Sequence, residues 1–483
     1  MPATVSALRH ASPESVGLSS KNILDFVEAI EAADHELHSF VVLKNRHVVA
    51  EGWWEPYRRD DIHLLYSLSK SFTSTAIGFT VQEGLVQLDD PVISFFPSQM
   101  PDNPSDKLQA MKVRHLLSMS TGHDVDNMSD MYGREDKDWV CGFLARDVVH
   151  EPGTHFLYNN GASYMLSAIV TRVTGMSALD YLRPRLFDPI GIEQATWTAC
   201  PNGVSVGASE LRITTESIAR FGQFYLQRGV WEGERLLSEA WVEDASRFQV
   251  SNATNDQPDW QQGYGFQFWR CRHNCYRGDG AFGQFCIVVD ELQMVIAITA
   301  SVSSMQGVLD LVWQHLYEPA KVASIEEQPD WHLALKAKCA SLTLPGPGGK
   351  PSSQFAREVT GRMYKATSSE SPILTTTFDF YPQGCLLTVR TPMGDKSLRI
   401  GSDEWIRSIW SAGADPTAKV AAIGRWITPH NYEIKVRYTE SPSGANILCH
   451  FSGNAVKMQT TLTGRFGTPE VQVFEGTASY RPL

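Results

Sequence analysis

The sequence predicts a mixed α/β (α+β) protein: one sheet covered by helices, followed by a small all-β domain built as a sandwich or barrel. Three observations predict it. β-rich runs stand at both ends of the first two-thirds, with helical periodicities between and after them. A dense Pro/Gly stretch, Leu344-Pro345-Gly346-Pro347-Gly348-Gly349-Lys350-Pro351, then breaks the pattern. Beyond it nearly every segment is a short β run separated by turn residues.

Taken in order, Ser19 or Ser20 is a fitting N-cap for a first helix carrying Ile23, Phe26, Val27 and Ile30 at helical spacing. Phe40–Leu43 and His47–Ala50 read as a hairpin around Lys44-Asn45-Arg46. A helix should start near Ser67 and end before Gly84. From about Val113 to Leu236 the chain reads as helices joined by long loops, with Ser163–Val173 and Thr215–Arg228 apolar at i, i+3 and i+4. Tyr264–Arg270, Gln284–Val289 and Val295–Ala300 return to strand character, and a helix around Val308–Leu316 follows. The β runs of the last part are Ile373–Tyr381, Cys385–Arg390, Tyr432–Tyr438, Ala445–Phe451 and Lys457–Gly464.

At 483 residues, 42% of them apolar, the chain exceeds one compact core, and its 13 Trp and 22 Phe can fill two. A formal charge of −12 without a Lys/Arg run argues against a nucleic-acid partner. No apolar run approaches the roughly 20 residues that span a bilayer, so no membrane partner is expected. Met1–Ser20 lacks the basic and apolar regions of a secretory signal. The expected location is therefore cytoplasmic, with the eight cysteines as buried thiols.

The chemistry lies in Ser67-Leu68-Ser69-Lys70, an S-x-x-K. On a helix, i and i+3 share a face, so Lys70 reaches the Ser67 hydroxyl. That hydroxyl attacks only when a neighbour takes its proton, and a lysine does so only with a lowered pKa. The plainer alternative is a solvated helix start with a capping serine. The small, apolar continuation Thr75-Ala76-Ile77-Gly78 favours a buried helix, whose lysine needs a partner.

The stretch Leu65-Tyr66-Ser67-Leu68-Ser69-Lys70-Ser71-Phe72-Thr73 resembles the nucleophile helix of the class C β-lactamase superfamily, which includes penicillin-binding carboxypeptidases, D-aminopeptidases, esterases and some acyltransferases. Its Y-x-N motif is matched by Tyr158-Asn159-Asn160, after Glu151-Pro152-Gly153-Thr154. Gly84–Pro91, Leu116–Gly122 and Arg220–Gln223 are similar to the family too, so the resemblance covers residues 10 to 320. It implies an antiparallel sheet flanked by helices with a helical lobe beside it, the site lying between them. It implies Ser67 as nucleophile, with Lys70 and Tyr158 moving protons. A cation beside Tyr158 would hold its pKa down, and Lys70 would supply that cation. Asn160 would hydrogen-bond the Lys70 ammonium or a substrate amide. A half-buried tyrosine with a satisfied hydroxyl is the plainer reading of Tyr158.

The family's third motif, K-T-G or H-x-G, is where this sequence departs. Its place falls on Gly278-Asp279-Gly280, followed by Ala281. Gly280 keeps the close approach of strand to substrate. The resemblance implies an oxyanion hole from the backbone N–H groups of Ser67 and Ala281. The missing Lys or His removes a usual carboxylate or β-lactam contact, and Arg277 replaces it only if strand alternation points it inward.

Other signals compete. Gly203-Val204-Ser205-Val206-Gly207 matches the G-x-S-x-G elbow, but the turn-like Thr198–Asn202 precedes it, which reads as a loop. Cys271-Arg272-His273-Asn274-Cys275 offers at most three zinc ligands and reads better as a hairpin turn. Trp53, Trp54 and Tyr57 suit either a pocket lining or a core. The resulting expectation is a catalytic domain over 1–325, a connecting helix and linker over 326–352, and a β accessory domain over 353–483. The substrate is a small-molecule acyl compound, a small ester, amide or D-amino-acid peptide, cleaved without metal or organic cofactor. Acyl transfer and a non-catalytic binding role remain alternatives, and the oligomeric state is open.

Overall fold

The computed structural model describes residues 7–321, 326, 329–410, 417–467 and 471–478. The junction expected after residue 325 lies outside them. The chain divides into two compact units, one comprising 1–52 and 62–340, the other 53–61 and 341–483.

In the first unit, strands β1 (Arg9–His10), β2 (Leu37–Lys44), β3 (His47–Trp53), β4 (Trp269–Arg270), β5 (Tyr276–Gly280), β6 (Gln284–Val289) and β7 (Met294–Ala300) form one sheet in the order β1-β3-β2-β7-β6-β5-β4. β2 and β7 pair antiparallel from Met294↔Lys44 to Ala300↔Leu37, joining the two ends of the unit. Every residue of β2, β6 and β7 is buried. These strands therefore read as continuous apolar runs, as strands covered on both faces do. Helix α1 (Ser20–Ala32) covers one face, where Phe26 meets Phe40 edge-on at 6.2 Å. Helix α4 (Thr215–Leu226) covers the other, where the Thr215 and Ser39 hydroxyls lie 2.5 Å apart. The β2–β3 turn carries Asn45 at φ 49° and Arg46 at φ 68°, the left-handed pair that a two-residue hairpin needs.

The strand expected over Tyr264–Arg270 is shorter than its pattern. Only Trp269–Arg270 is a strand, because Gln267 turns the backbone at φ 64° and gives its side chain to the carbonyls of Leu116 and Leu117. Helix α2 (Ser69–Gln82) and helix α3 (Asn160–Thr174) pack together in the helical lobe. α2 is buried from Ser69 to Thr80, as its small apolar residues suggested. α5 (Met305–Val312) and α6 (Pro329–Ala340) complete the unit.

The second unit is a barrel. Nine antiparallel strands between Met363 and Ala478 form a ring, closed by a parallel bridge between Gly401 and Ile423, with Ile406–Ile409 appended to Lys419–Thr428. Phe378, Leu398, Ile434, Cys449 and Phe451 fill its interior. The Trp53–Asp61 segment belongs here, held by Asp61 on the Arg407 guanidinium at 2.6 and 2.9 Å. Trp54 and Tyr57 are buried, while Trp53 lies under the Arg59 guanidinium at 4.5 Å. The Pro/Gly stretch is tied to the barrel by reciprocal 2.9 Å backbone bonds between Lys350 and Trp426.

Candidate active site

Ser67 sits in a 3₁₀ turn, Tyr66–Leu68, immediately before α2 rather than inside it. Tyr66 at φ 46° supplies the bend, and the Ser69 hydroxyl fixes it by donating to the Tyr66 carbonyl at 2.6 Å. The turn leaves Ser67 half-buried at the head of a buried helix.

Lys70, one turn on, is 1% exposed. Its Nζ lies 2.9 Å from Ser67 Oγ, 2.7 Å from Asn160 Oδ1 and 2.7 Å from the Ala208 carbonyl. Burial pulls its pKa down to about 7, with the charges of Asp126 and Asp279 acting in the opposite sense. Near neutrality Lys70 is then partly a free amine. That amine has two N–H groups for Asn160 and Ala208 and a lone pair for the Ser67 hydroxyl.

Tyr158 stands beside Lys70. Its ring lies 4.9 Å from Lys70 Nζ and is stacked on Trp269 at 5.2 Å. Burial drives its pKa upward, and the Asp279 charge adds to that. The electrostatics thus favour a neutral phenol beside a neutral amine over a phenolate beside an ammonium.

Asn160 opens α3. Its Nδ2 donates to Asp126 Oδ2 at 2.6 Å and its backbone N–H to Asp126 Oδ1 at 2.9 Å. Gly280 ends β5 against the nucleophile turn: a Cβ there would lie 2.0 Å from the Leu65 carbonyl oxygen and 3.1 Å from the Ser67 nitrogen. Only glycine fits, and the contact carries the Gly280-Ala281 backbone to the Ser67 N–H. At Gly278 a Cβ would meet the Leu68 and Ser71 side chains at 2.4 and 2.6 Å, so a side chain at the third motif's first position requires them to move.

Arg277 points away from the nucleophile. It is fully buried, its Nε 2.9 Å from Asp279 Oδ2, its Nη1 on the Asp259 carbonyl and Cys271 Sγ, and its guanidinium 4.3 Å over the Trp260 ring. It pairs with Asp279 and does not take over the missing cation's place. Burial raises the Asp279 pKa, and Arg277 opposes the rise.

Ser67, Lys70, Tyr158, Asn160 and Gly280 thus meet in one place, with Ala281 next in the chain. Ser205 does not join them. It is 1% exposed, its carbonyl accepts from Ser167, and α4 begins only at Thr215. Cys271 and Cys275 flank a short 3₁₀ turn, and among the described residues no group of three His, Cys, Asp or Glu is placed to hold a metal. Sequence reasoning missed Asp126, the Ala208 carbonyl and Trp269. No motif marks them, and only the loop Gly122–Asn127 meeting the start of α3 brings Asp126 into play.

The sequence matches the profile of the family described as Beta-lactamase over residues 29–314. The chain belongs to the Beta-lactamase family. One relative is the 6-aminohexanoate-dimer hydrolase of Paenarthrobacter ureafaciens, 27% identical over 237 residues, which take in 45% of this chain and 59% of that protein. The octameric penicillin-binding protein homologue from Pyrococcus abyssi shares the fold over 94% of this chain and 99% of its own, with a TM-score of 0.50 at 16% identity. EstCE1, a hydrolase with promiscuous acyltransferase activity, shares it over 61% of this chain and 99% of its own, with a TM-score of 0.52 at 16% identity. The fold here sets the Tyr66–Leu68 turn against β5. Among the described residues no helix is long and apolar enough to cross a membrane.

Proposed function

We propose that the protein is a serine hydrolase that cleaves a small ester or amide through an acyl-enzyme on Ser67. The observation that carries this reading is the Lys70 amine, buried, lowered to a pKa of about 7 and 2.9 Å from the Ser67 hydroxyl. Neutral Lys70 accepts the Ser67 proton as Oγ attacks the carbonyl. The N–H groups of Ser67 and Ala281 receive the developing oxyanion, a contribution of about 10²–10³ in rate for each donor in comparable sites. The neutral Tyr158 hydroxyl passes a proton from the Lys70 ammonium side to the leaving group. Water then releases the acid by the same steps in reverse. Nucleophile, base and oxyanion donors are all protein groups, so the reaction as written uses no metal or organic cofactor.

Gly278 and the Arg277–Asp279 pair narrow the substrate. The third motif carries no Lys or His to pair with a carboxylate beside the scissile bond, so the reading favours uncharged esters and amides over β-lactams and carboxyl-terminal peptides. The 6-aminohexanoate-dimer hydrolase, by its name a hydrolase, supports the hydrolytic reading. The eight free thiols suit a reducing, cytoplasmic location.

The test is intact-mass spectrometry after exposure to a fluorophosphonate and a panel of activated esters, comparing wild type with Ser67→Ala. One adduct on Ser67, absent from the variant, is expected. An adduct elsewhere, or none on folded protein, would overturn the assignment. Product analysis with added alcohols and amines then separates hydrolysis from acyl transfer.

A further inference from the structure

We propose that Asp126 is a positioning residue for acylation: by accepting from both nitrogens of Asn160 it dictates which side of the Lys70 amine meets Ser67. The inference rests on the serine-hydrolase reading above. A carboxylate offers only acceptors. Asp126 Oδ1 takes the Asn160 backbone N–H at 2.9 Å and Oδ2 takes Nδ2 at 2.6 Å. The amide nitrogen of Asn160 is therefore committed to Asp126, and its Oδ1 faces Lys70 Nζ at 2.7 Å. Lys70 must donate there, and it must also donate to the Ala208 carbonyl at 2.7 Å. With both N–H groups of the neutral amine spent, its lone pair is left on the third side, 2.9 Å from Ser67 Oγ. With Lys70 as the neutral amine, the polarity runs one way, from the Ser67 hydroxyl to Lys70, from Lys70 to Asn160, and from Asn160 to Asp126.

A second rung supports the first. Asn159 Nδ2 donates to Asn127 Oδ1 at 2.6 Å, and the Asn127 backbone N–H donates to Asn159 Oδ1 at 3.3 Å. This rung ties the same loop to the start of α3 without any charge, so the loop keeps an anchor when Asp126 is neutralised.

Replacing Asp126 by asparagine reverses the relay. The new side chain can satisfy the Asn160 backbone N–H with its oxygen, which turns its NH₂ toward the Asn160 side chain. Asn160 then flips, presents its own NH₂ to Lys70, and draws the lone pair away from Ser67. The charged or titratable groups facing Lys70 are Asp126 from the loop, Asp279 from β5 with Arg277 behind it, and the Tyr158 phenol. Both carboxylates hold the Lys70 pKa up against burial, so removing the Asp126 charge lowers it further.

The experiment measures the rate of fluorophosphonate acylation at Ser67 by intact mass, from pH 5 to 10, in wild type, Asp126→Asn, and the double variant Asp126→Asn with Asn160→Asp. D126N should acylate at least about tenfold more slowly, with its acid limb moved to lower pH. The double variant exchanges the amide and the carboxylate between loop and helix and restores the one-way polarity. Its helix carboxylate can only accept, from Lys70 on one side and from the loop amide on the other. It should regain rate at alkaline pH, with its limb moved upward by the carboxylate beside Lys70. Thermal melts report folding. If D126N melts below the assay temperature, the double variant alone decides. D126N within twofold of wild type with an unmoved limb, or a folded double variant that stays slow at every pH, would overturn the proposal. Failure of the wild type to label at Ser67 would instead remove the hydrolase reading beneath it.

Discussion

Gly280→Ala tests the close approach of β5 to the nucleophile turn. The added methyl would lie 2.0 Å from the Leu65 carbonyl oxygen, where ordinary contact begins near 3.4 Å. Strand or turn must therefore retreat by about 1.4 Å, the difference between those two distances. The Leu65 carbonyl is backbone, so no side-chain rotation relieves the contact, and the same methyl stands 3.1 Å from the Ser67 nitrogen. A misplacement of about 1 Å at a reacting centre costs on the order of 10²-fold in rate, which loss of one oxyanion donor matches. Overpacking of this kind costs about 1–3 kcal/mol in stability. The assay is the second-order rate of Ser67 acylation by an activated ester at pH 8, read beside a thermal melt. A folded variant acylating within threefold of wild type would refute the claim that Gly280 brings the Ser67 and Ala281 N–H groups together.

Three further outcomes follow from the geometry. Wild-type acylation should rise with pH through about 7 and then level, because the base form of Lys70 appears as its proton leaves; a rate independent of pH from 5 to 9 would contradict the base assignment. Arg277→Met takes the guanidinium from the buried Asp279 carboxylate, which should cost about 3–5 kcal/mol in urea unfolding at neutral pH and let the Asp279 pKa rise further; a variant as stable as wild type would contradict the pairing. Ser205→Ala should leave fluorophosphonate labelling unchanged, given that Ser205 is 1% exposed; loss of the adduct in this variant would place the nucleophile elsewhere.

Features set by local geometry were legible in the sequence. Ser67 and Lys70 share a face because i and i+3 must on a helical turn, and the buried character of α2 was written in Thr75-Ala76-Ile77-Gly78. The order of strands and helices, and the purely β character of the second unit, followed from periodicity. Tyr158, Asn160 and Gly280 were found only because their motifs resemble a family. Periodicity alone does not pair residues some 90 or 210 positions beyond Ser67 with it.

The tertiary structure decided the rest. A barrel and a sandwich share the same two-residue alternation, and only the Gly401↔Ile423 bridge closes this one. Strand alternation left the direction of Arg277 open until Asp259, Cys271, Trp260 and Asp279 were found around it. Asp126 and the Ala208 carbonyl bear no motif, yet they are what turn the Lys70 lone pair toward Ser67. The physical reason is common to all three. Helical and strand periods express which side of a segment is apolar, whereas the direction of a hydrogen bond or the pKa of a buried amine depends on groups delivered by other segments, and their positions are fixed only when the whole chain has packed.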